Sequence, residues 1–147
     1  MEGGKPIFES RGEVGYASSF CEWSAAEGRR LGSGSVPSPF ADKRILTLKQ
    51  PIGVVGMITP WNFPAAMVTR KAAPALAVGC PVILKPSEDT PLTALALGEL
   101  ALQAGVPPEC FHVLPACRDE TPSIGKAICE HPDIRAISFT GSVKKIN

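Results

Sequence analysis

The sequence predicts an open, doubly wound α/β fold, in which helices cover a parallel sheet. The first observation is a set of four short apolar runs, GVVGMIT (53–59), PVILK (81–85), CFHVL (110–114) and AISFT (136–140). Continuous apolar runs of this kind are typical of strands that are covered on both faces. Helical patterns fill each gap between the runs, and strand–helix–strand successions of this length form right-handed crossovers.

The composition is that of an ordinary globular chain. The 147 residues are enough for one domain with its own core, and hydrophobic residues make up 44% of them. The net charge of +1 gives no indication of a nucleic-acid or membrane partner. No apolar run approaches the roughly 18 residues of a membrane-spanning helix. The first residues, MEGGKPIFESRGE, show no secretory or transit-peptide pattern.

Residues 1–42 are predicted to form an N-terminal helical segment followed by a loop. Aromatic residues recur at loosely helical spacing within residues 7–31, which indicates one or two amphipathic helices. The Gly-, Ser- and Pro-rich stretch 32–42 is typical of a loop. Residues 43–50 alternate polar and apolar side chains, which predicts a half-buried strand that could form a hairpin with residues 53–59.

Proline and glycine mark the ends of the helices between the apolar runs. An Ala-rich helix over 65–78 is predicted to stop at Gly79, because glycine is favoured just past a helix C-terminus. In the next helix, Thr90 is the predicted N-cap and Pro91 the first helical residue. The same patterns give the remaining boundary residues, which are Gly105, Thr121 and Pro122.

The cysteines show neither a CxxC pair nor a spacing typical of metal ligands, so no metal site is predicted. Cys80, Cys110 and Cys129 lie in or beside apolar runs, which favours reduced, buried thiols of a cytosol or an organelle matrix. We predict that none of the cysteines is a nucleophile. Two isolated histidines, His112 and His131, are assigned no role.

The carboxyl ends of the predicted strands are the candidate functional edge, because ligands of open α/β sheets bind there. These ends read T-P-W-N, K-P-S-E, L-P-A-C and F-T-G-S. Asn62 is unexpected at the tip of a buried strand, since asparagine is a poor strand residue. From spacing alone, Asn62 either caps the helix that begins just beyond Pro64 or donates its amide to a ligand.

The other polar strand ends also allow an ordinary structural interpretation. Lys85 closes an apolar strand and by default would extend its ammonium group to the surface. Glu88 would be an ordinary acid in the first turn of a helix, and Arg70 a solvated helix residue. Gly141 and Ser142 would let the backbone approach a phosphate at a helix N-terminus, although TGS is also common in turns.

Three segments together indicate a known family. QPIGVVGMITPWNFPAAMVTRK, LKPSEDTPLTALALGELALQAGVP and ISFTGS follow one another as they do in the aldehyde dehydrogenase superfamily. The chain resembles that superfamily from about Lys5 to Ser142, and MVTRK is most similar to succinate-semialdehyde dehydrogenases. The resemblance implies a Rossmann-like NAD-binding domain, of which residues 43–147 would hold a hairpin strand and the incomplete first half.

The resemblance also implies roles for individual residues. Asn62 would donate its amide N–H to the oxyanion of a thiohemiacetal. Lys85 and Glu88 would bind the adenosine ribose hydroxyls of NAD, and Glu88 would repel the 2′-phosphate of NADP. Arg70 would lie near the distal carboxylate of the substrate. The implied cofactor-binding residues are Thr59, Pro60, Trp61, Arg70, Lys85, Pro86, Ser87, Glu88, Gly141 and Ser142.

Part of the family pattern is absent. The family continues as GSTxxG, whereas here GSVKKIN puts Ile146 at the position of the second glycine. In the family, the cysteine nucleophile and the glutamate base lie beyond the position of Asn147, and the polypeptide begins before Met1. We therefore expect the chain to be an internal fragment that is inactive alone.

Two functions follow from the resemblance. The first is NAD-dependent oxidation of succinate semialdehyde to succinate, in the breakdown of GABA, by a longer product. The second is a non-catalytic short form that at most binds nucleotide or pairs with full-length subunits. The family also implies a homo-oligomer, expected to be a tetramer, in the mitochondrial matrix of an animal or the cytoplasm of a bacterium.

Overall fold

The computed structural model describes residues 2–142 and confirms the α/β class. Its helices and strands, in chain order, are α1 (Ile7–Gly28), β1 (Gly34–Val36), β2 (Ile45–Thr47), β3 (Val54–Ile58), α2 (Ala66–Ala77), β4 (Val82–Lys85), α3 (Pro91–Gln103), β5 (Phe111–Val113), α4 (Thr121–Glu130) and β6 (Ile134–Phe139). A single turn of 3₁₀ helix, Pro108–Cys110, precedes β5. No helix among these residues is long and apolar enough to span a bilayer.

The four apolar runs form one parallel sheet with the strand order β5-β4-β3-β6. The chain passes from β3 through β4 to β5 in one direction and then returns to place β6 on the other side of β3. Helix α2 packs on the sheet face of Val55, whereas α4 packs on the opposite face, where Ile128 lies against Gly56. The sheet is therefore doubly wound, as predicted.

The two central strands carry the core. Val55 and Met57 of β3 and Leu84 of β4 are buried against Val68 of α2 and Ala94 of α3. Coverage on both faces holds for these strands but not for the outer ones. In the described sheet β5 and β6 are the edges, and Ile137 of β6 is 45% exposed. The continuous apolar runs at 110–114 and 136–140 therefore predicted more burial than the outer strands β5 and β6 have.

The N-terminal segment forms one helix, α1, which packs against α2. The buried residues of α1 are Glu13, Ala17 and Ser24, while aromatic side chains such as Trp23 are exposed. Near the end of α1, a Cβ on Gly28 would lie only 3.3 Å from the carbonyl oxygen of Ala77. Small and polar residues thus form the fully buried part of the face that meets α2, and of the aromatic residues Phe20 packs half-buried against it.

The predicted hairpin forms with a different partner. Strand β2 pairs antiparallel with β1, which lies inside the stretch predicted to be a loop, and not with residues 53–59. The apolar run at 53–59 instead forms β3 of the parallel sheet, where its side chains are buried or half-buried. Both strands of the hairpin are exposed along their whole length, so the expected half-burial of residues 43–50 is wrong as well.

The helix ends agree with the predictions except in one turn. Gly79 and Gly105 have positive φ angles of 80° and 90° and follow α2 and α3 as expected. Thr90 and Pro91 occupy the predicted positions at the start of α3. Thr121, however, is the first residue of α4 and not its N-cap, because its hydroxyl group donates backwards to the carbonyl oxygen of Cys117 at 3.1 Å.

The cysteines are reduced, but only one of the three predicted core thiols is fully buried. Cys80 is 2% exposed and belongs to the core, whereas Cys110 is half-buried. Cys129 is exposed, because the buried residue of α4 is its neighbour Ile128. The exposed thiol of Cys21 has a raised pKa, owing to partial burial and to the nearby carboxylate of Glu22.

Candidate active site

The polar strand ends meet at the carboxyl edge of the parallel sheet. The backbone N–H of Thr59 donates to the carbonyl oxygen of Lys85 at 3.2 Å, and that of Thr140 donates to Ile58 at 3.1 Å. At the end of β5, the backbone N–H of Leu114 donates a hydrogen bond of 2.7 Å to the carbonyl oxygen of Leu84 in β4. The KPSE, TPWN and FTGS segments therefore lie side by side in that order, at the edge where the sequence predicted a ligand to bind.

Lys85 and Glu88 form a nearly buried ion pair at the end of β4. The Lys85 side chain is only 2% exposed, and its Nζ lies 3.3 Å from Oε2 of Glu88. The default expectation of a surface ammonium group is therefore wrong. A charge in this position requires a partner, because an unpaired buried charge is strongly destabilising. Between the two, Pro86 and Ser87 are also buried and complete the turn into α3.

The carboxyl group of Glu88 is held in its ionised form. Burial favours the neutral acid and by itself raises the pKa. The backbone N–H of Glu88, the Lys85 ammonium and the Arg118 guanidinium outweigh burial and lower the pKa from 4.5 to about 2. At neutral pH, Glu88 can therefore accept hydrogen bonds from hydroxyl groups, and it repels phosphate oxygens placed against it.

Arg118 is a member of this group that the sequence analysis missed. It follows β5 in LPACRDE, and its Nε lies 3.1 Å from Oε1 of Glu88, while Nη2 lies 3.4 Å from Oδ1 of Asp89. The position of Arg118 in the sequence could have predicted this contact. A cation that follows the carboxyl end of β5 can reach the carboxyl end of the neighbouring strand β4. Its side chain is 74% exposed, so its contact with Glu88 lies on the solvent side.

Asn62 is exposed in the segment between β3 and α2. The carboxylate of Glu13, from α1, caps α2 by accepting from the backbone N–H groups of Ala65 at 2.8 Å and Ala66 at 3.3 Å. The sequence left two interpretations of Asn62 open, helix capping or donation to a ligand. The cap of α2 is supplied by Glu13 and not by Asn62. Asn62 lines a cavity of about 380 Å³ together with Trp61, Glu13 and residues 2–6.

Arg70 lies on the side of α2 that faces α1. Its guanidinium carbon is 5.5 Å from the ring centroid of Phe20, and its Nη1 is 3.9 Å from the sulfur of Met67. Arg70 is exposed, as expected for a solvated helix residue. The next residue, Lys71, reaches the sheet instead and donates to Oγ of Ser138 at 2.8 Å. Burial, and then the charge of Arg70, lower the pKa of Lys71.

Gly141 and Ser142 are both exposed just past β6. A Cβ atom built on Gly141 would lie 2.6 Å from Cζ of Phe139, so a larger residue would require that ring to move. The missing side chain of Gly141 therefore permits the close approach of the Phe139 ring to the backbone at this strand end. The predicted departure at Ile146 lies outside the described residues.

These observations fit a nicotinamide dinucleotide. An ionised carboxylate beside an ammonium group suits the hydroxyl groups of a ribose, and the glycine beyond β6 suits a pyrophosphate. A doubly wound parallel sheet whose polar and glycine-bearing segments meet at its carboxyl edge is the architecture of a dinucleotide-binding domain.

The chain belongs to the aldehyde dehydrogenase family, whose sequence model matches residues 1–146. It is 51% identical over 144 residues to the NADP(+) succinate-semialdehyde dehydrogenase GabD of Escherichia coli, covering 98% of this chain and 29% of that protein. It is 52% identical over 141 residues to the mitochondrial succinate-semialdehyde dehydrogenase of Homo sapiens, covering 96% of this chain and 26% of that protein. The chain thus spans less than a third of the length of these relatives.

Solved structures of the family have the same fold. A succinate-semialdehyde dehydrogenase from Burkholderia pseudomallei superposes with a TM-score of 0.90 at 51% identity, covering 96% of this chain and 29% of that one. An NADP-dependent enzyme of E. coli gives a TM-score of 0.90 at 52% identity, with the same coverage of both chains. These likenesses agree with the Rossmann-like fold expected from the sequence.

Proposed function

We propose that this chain carries the adenosine-binding part and the oxyanion donor of an NAD-dependent succinate-semialdehyde dehydrogenase. The observation that carries the proposal is the buried ion pair of Lys85 and Glu88, which lies one strand away from the segment that holds Asn62. The names of the relatives support the substrate, and the family supports the chemistry. The bound dinucleotide would accept the hydride that leaves the substrate carbon.

NAD is proposed over NADP because of the charge of Glu88. A carboxylate with a pKa of about 2 accepts hydrogen bonds from both hydroxyl groups of a ribose but repels a 2′-phosphate. GabD of E. coli carries NADP(+) in its name, so the charge of Glu88, and not the names of the relatives, supports NAD for this chain. We propose that Lys85, buried beneath Glu88, donates to the same ribose.

Asn62 is proposed to stabilise the negative charge that develops on the aldehyde oxygen. When a thiolate attacks the aldehyde carbon, the carbonyl oxygen becomes an oxyanion, and the side-chain amide of Asn62 would donate a hydrogen bond to it. An amide is suited to this task because it donates without carrying a charge. Pro60 and Pro64 restrict the backbone on either side of it.

Arg70 is proposed to bind the distal carboxylate of the semialdehyde. Arg70 is exposed and its guanidinium group lies over the ring of Phe20, and a guanidinium group can bind a carboxylate through two parallel hydrogen bonds. Arg70 was also predicted to contact the cofactor. We propose the substrate role as its main one, because a guanidinium group matches the geometry of a carboxylate.

The remaining predicted residues are proposed to shape the cofactor site. Thr59, Pro86 and Ser87 are buried and would fix the strand ends from below. Pro60 and Trp61 are more accessible and, with Gly141 and Ser142, can contact the dinucleotide directly. We further propose a homo-oligomer, a mitochondrial location in an animal source and a cytoplasmic one in a bacterium. The mitochondrial relatives of Arabidopsis thaliana and Homo sapiens support that location.

A segment exchange tests this function. Residues 2–142 replace the aligned segment of the E. coli GabD protein, to which the chain is 51% identical, and the product is called the grafted enzyme below. We expect the grafted enzyme to oxidise succinate semialdehyde and to prefer NAD, whereas the unmodified recipient serves as the control. An active grafted enzyme that retains the cofactor preference of the recipient would contradict the proposed role of Glu88.

A further inference from the structure

Helix α2 begins without a capping side chain of its own. Its N-cap is Ala65, which cannot accept a hydrogen bond through its side chain. The first N–H groups of a helix need acceptors, and Oε1 of Glu13 serves those of Ala65 and Ala66 from a position 52 residues earlier in the chain. Glu13 is 6% exposed, so this acceptor is a built and buried part of the interface between α1 and α2.

Lys5 links Glu13 to Asn62, and these two charged side chains together form a tether. Its ammonium group pairs with Oε2 of Glu13 and donates to the backbone carbonyl oxygen of Asn62 at 2.6 Å. The same nitrogen lies 4.0 Å from the ring centroid of Phe63. Two charged residues of the N-terminal segment, Lys5 and Glu13, therefore contact four residues on either side of Pro64, which are Asn62, Phe63, Ala65 and Ala66.

This tether matters because Asn62 and Phe63 belong to neither a strand nor a helix. Pro60 and Pro64 restrict φ but cannot donate hydrogen bonds. The carbonyl oxygen of Phe63 accepts from the N–H of Met67 at 2.9 Å, which ties Phe63 to α2, whereas the carbonyl oxygen of Asn62 accepts from Lys5. An oxyanion donor is effective when it is already in place before charge develops, and small displacements are costly. The peptide carbonyl of Asn62 is fixed by Lys5, and this fixes the origin of the Asn62 side chain.

We propose that Lys5 and Glu13 are positioning residues for Asn62, and that they act on catalysis only through it. The proposal rests on the proposed function, because it assumes that Asn62 is the oxyanion donor. The competing explanation is an ordinary helix cap, whose loss would weaken the fold without acting through Asn62.

The chain contains a matched control for that alternative. The carboxylate of Glu2 caps α3, accepting from the N–H of Leu92 and, at 3.0 Å, from that of Thr93. Thr90, the N-cap of α3, makes no capping hydrogen bond with its side chain. Helix α3, like α2, is therefore capped by a carboxylate from the N-terminal segment. Lys43 is the matched control for Lys5, because its Nζ lies 4.6 Å from the ring of Phe40 in the exposed N-terminal region.

The first test uses the 147-residue chain and hydrogen exchange measured by NMR. Glu13→Gln should speed exchange at Ala65 and Ala66, and Lys5→Met should shift the side-chain amide resonances of Asn62. Glu2→Gln should speed exchange at Leu92 and Thr93 alone. Unchanged Asn62 resonances in Lys5→Met would overturn the proposal.

The second test is a double-mutant cycle in the grafted enzyme. Lys5→Met should lower kcat by about tenfold, with Lys5→Arg restoring most of it, because a misplaced donor loses part of its effect. In the Asn62→Ala background, Lys5→Met should cause no further loss, since the group through which it acts is gone. Lys43→Met should leave kcat unchanged.

The outcomes separate the two proposals. If Asn62→Ala leaves kcat unchanged, the oxyanion role fails, and with it the proposed function of Asn62. The positioning proposal alone is overturned if Asn62→Ala lowers kcat but Lys5→Met has no effect. It is also overturned if the fold-losses in kcat of the two single variants multiply in the double variant. Should Lys5→Met prove unstable, Glu13→Gln carries the same cycle.

Discussion

The ammonium nitrogen of Lys85 lies 3.3 Å from Oε2 of Glu88, and both side chains are less than a tenth exposed. Under the proposed function, this pair lies against the ribose of the cofactor. A neutral pocket would accept a phosphate or a hydroxyl group alike, whereas a fixed carboxylate discriminates between them. Under the proposed function, the charge of Glu88 at the end of β4 would therefore favour NAD over NADP.

The first prediction concerns that choice. In the grafted enzyme, Glu88→Gln removes the negative charge and should lower the preference for NAD over NADP by at least tenfold, because the repulsion of the 2′-phosphate is lost. The measurement is kcat/KM with each cofactor. Asp89→Asn is the matched control, since Asp89 also pairs with Arg118 but is largely exposed. A preference that is the same in Glu88→Gln and the parent would exclude Glu88 from the ribose site.

The second prediction concerns stability at acid pH. The pKa of Glu88 is about 2 in the folded chain, below its ordinary value of 4.5. The folded state therefore binds a proton less readily than the unfolded state, so this group stabilises the fold above pH 4.5, and the contribution is lost as pH falls from there towards 2. Urea unfolding of the chain and of Glu88→Gln should show a stability difference that narrows across this range. A difference that is constant with pH would show that the pKa of Glu88 is not lowered.

The third prediction concerns Arg70. In the grafted enzyme, Arg70→Ala should raise KM for succinate semialdehyde by about 10- to 150-fold, the equivalent of roughly 1.5 to 3 kcal/mol for a hydrogen bond to a charged group. KM for an uncharged aldehyde of similar length should change little. Arg70→Lys is the matched variant and should lie between, because an ammonium group lacks the second parallel bond. Equal effects on both aldehydes would assign Arg70 to structure or to the cofactor.

The fourth prediction concerns the packing of α4 on the sheet. A Cβ on Gly56 would lie 2.4 Å from Cγ2 of Ile128, and Ile134 is also close. Gly56→Ala should therefore reduce the free energy of unfolding by about 1 to 3 kcal/mol, the usual cost of an overpacked core. Gly12→Ala is the control, because a Cβ at Gly12 in α1 meets no atom within 4 Å. Chemical unfolding should show Gly12→Ala to be neutral or stabilising, and an equally stable Gly56→Ala would contradict the observed contact.

Features that depend on local pattern were predictable from the sequence. The parallel sheet followed from apolar runs separated by helices, and the ends of α2 and α3 followed from Gly79 and Gly105, because a positive φ angle is a local requirement. The strand ends that meet at one edge followed from the topology alone.

Features that depend on distant partners were not predictable. Lys85 was expected at the surface, because nothing in KPSE reveals that the chain buries it beside Glu88. The caps supplied by Glu13 and Glu2 come from residues 52 and 90 positions away. The strand pairing of 43–50 was also misassigned, since two short exposed strands carry little pattern of their own.

The central claim is that the amide of Asn62 stabilises charge in the transition state, and the rate of the Asn62→Ala grafted enzyme tests it most directly. Asn62→Asp adds a matched variant that keeps the shape but cannot donate when ionised. With saturating NAD and succinate semialdehyde, followed by absorbance of NADH, we expect kcat to fall about 100- to 1000-fold in Asn62→Ala, with an unchanged dissociation constant for NAD. A kcat equal to that of the parent would contradict the account.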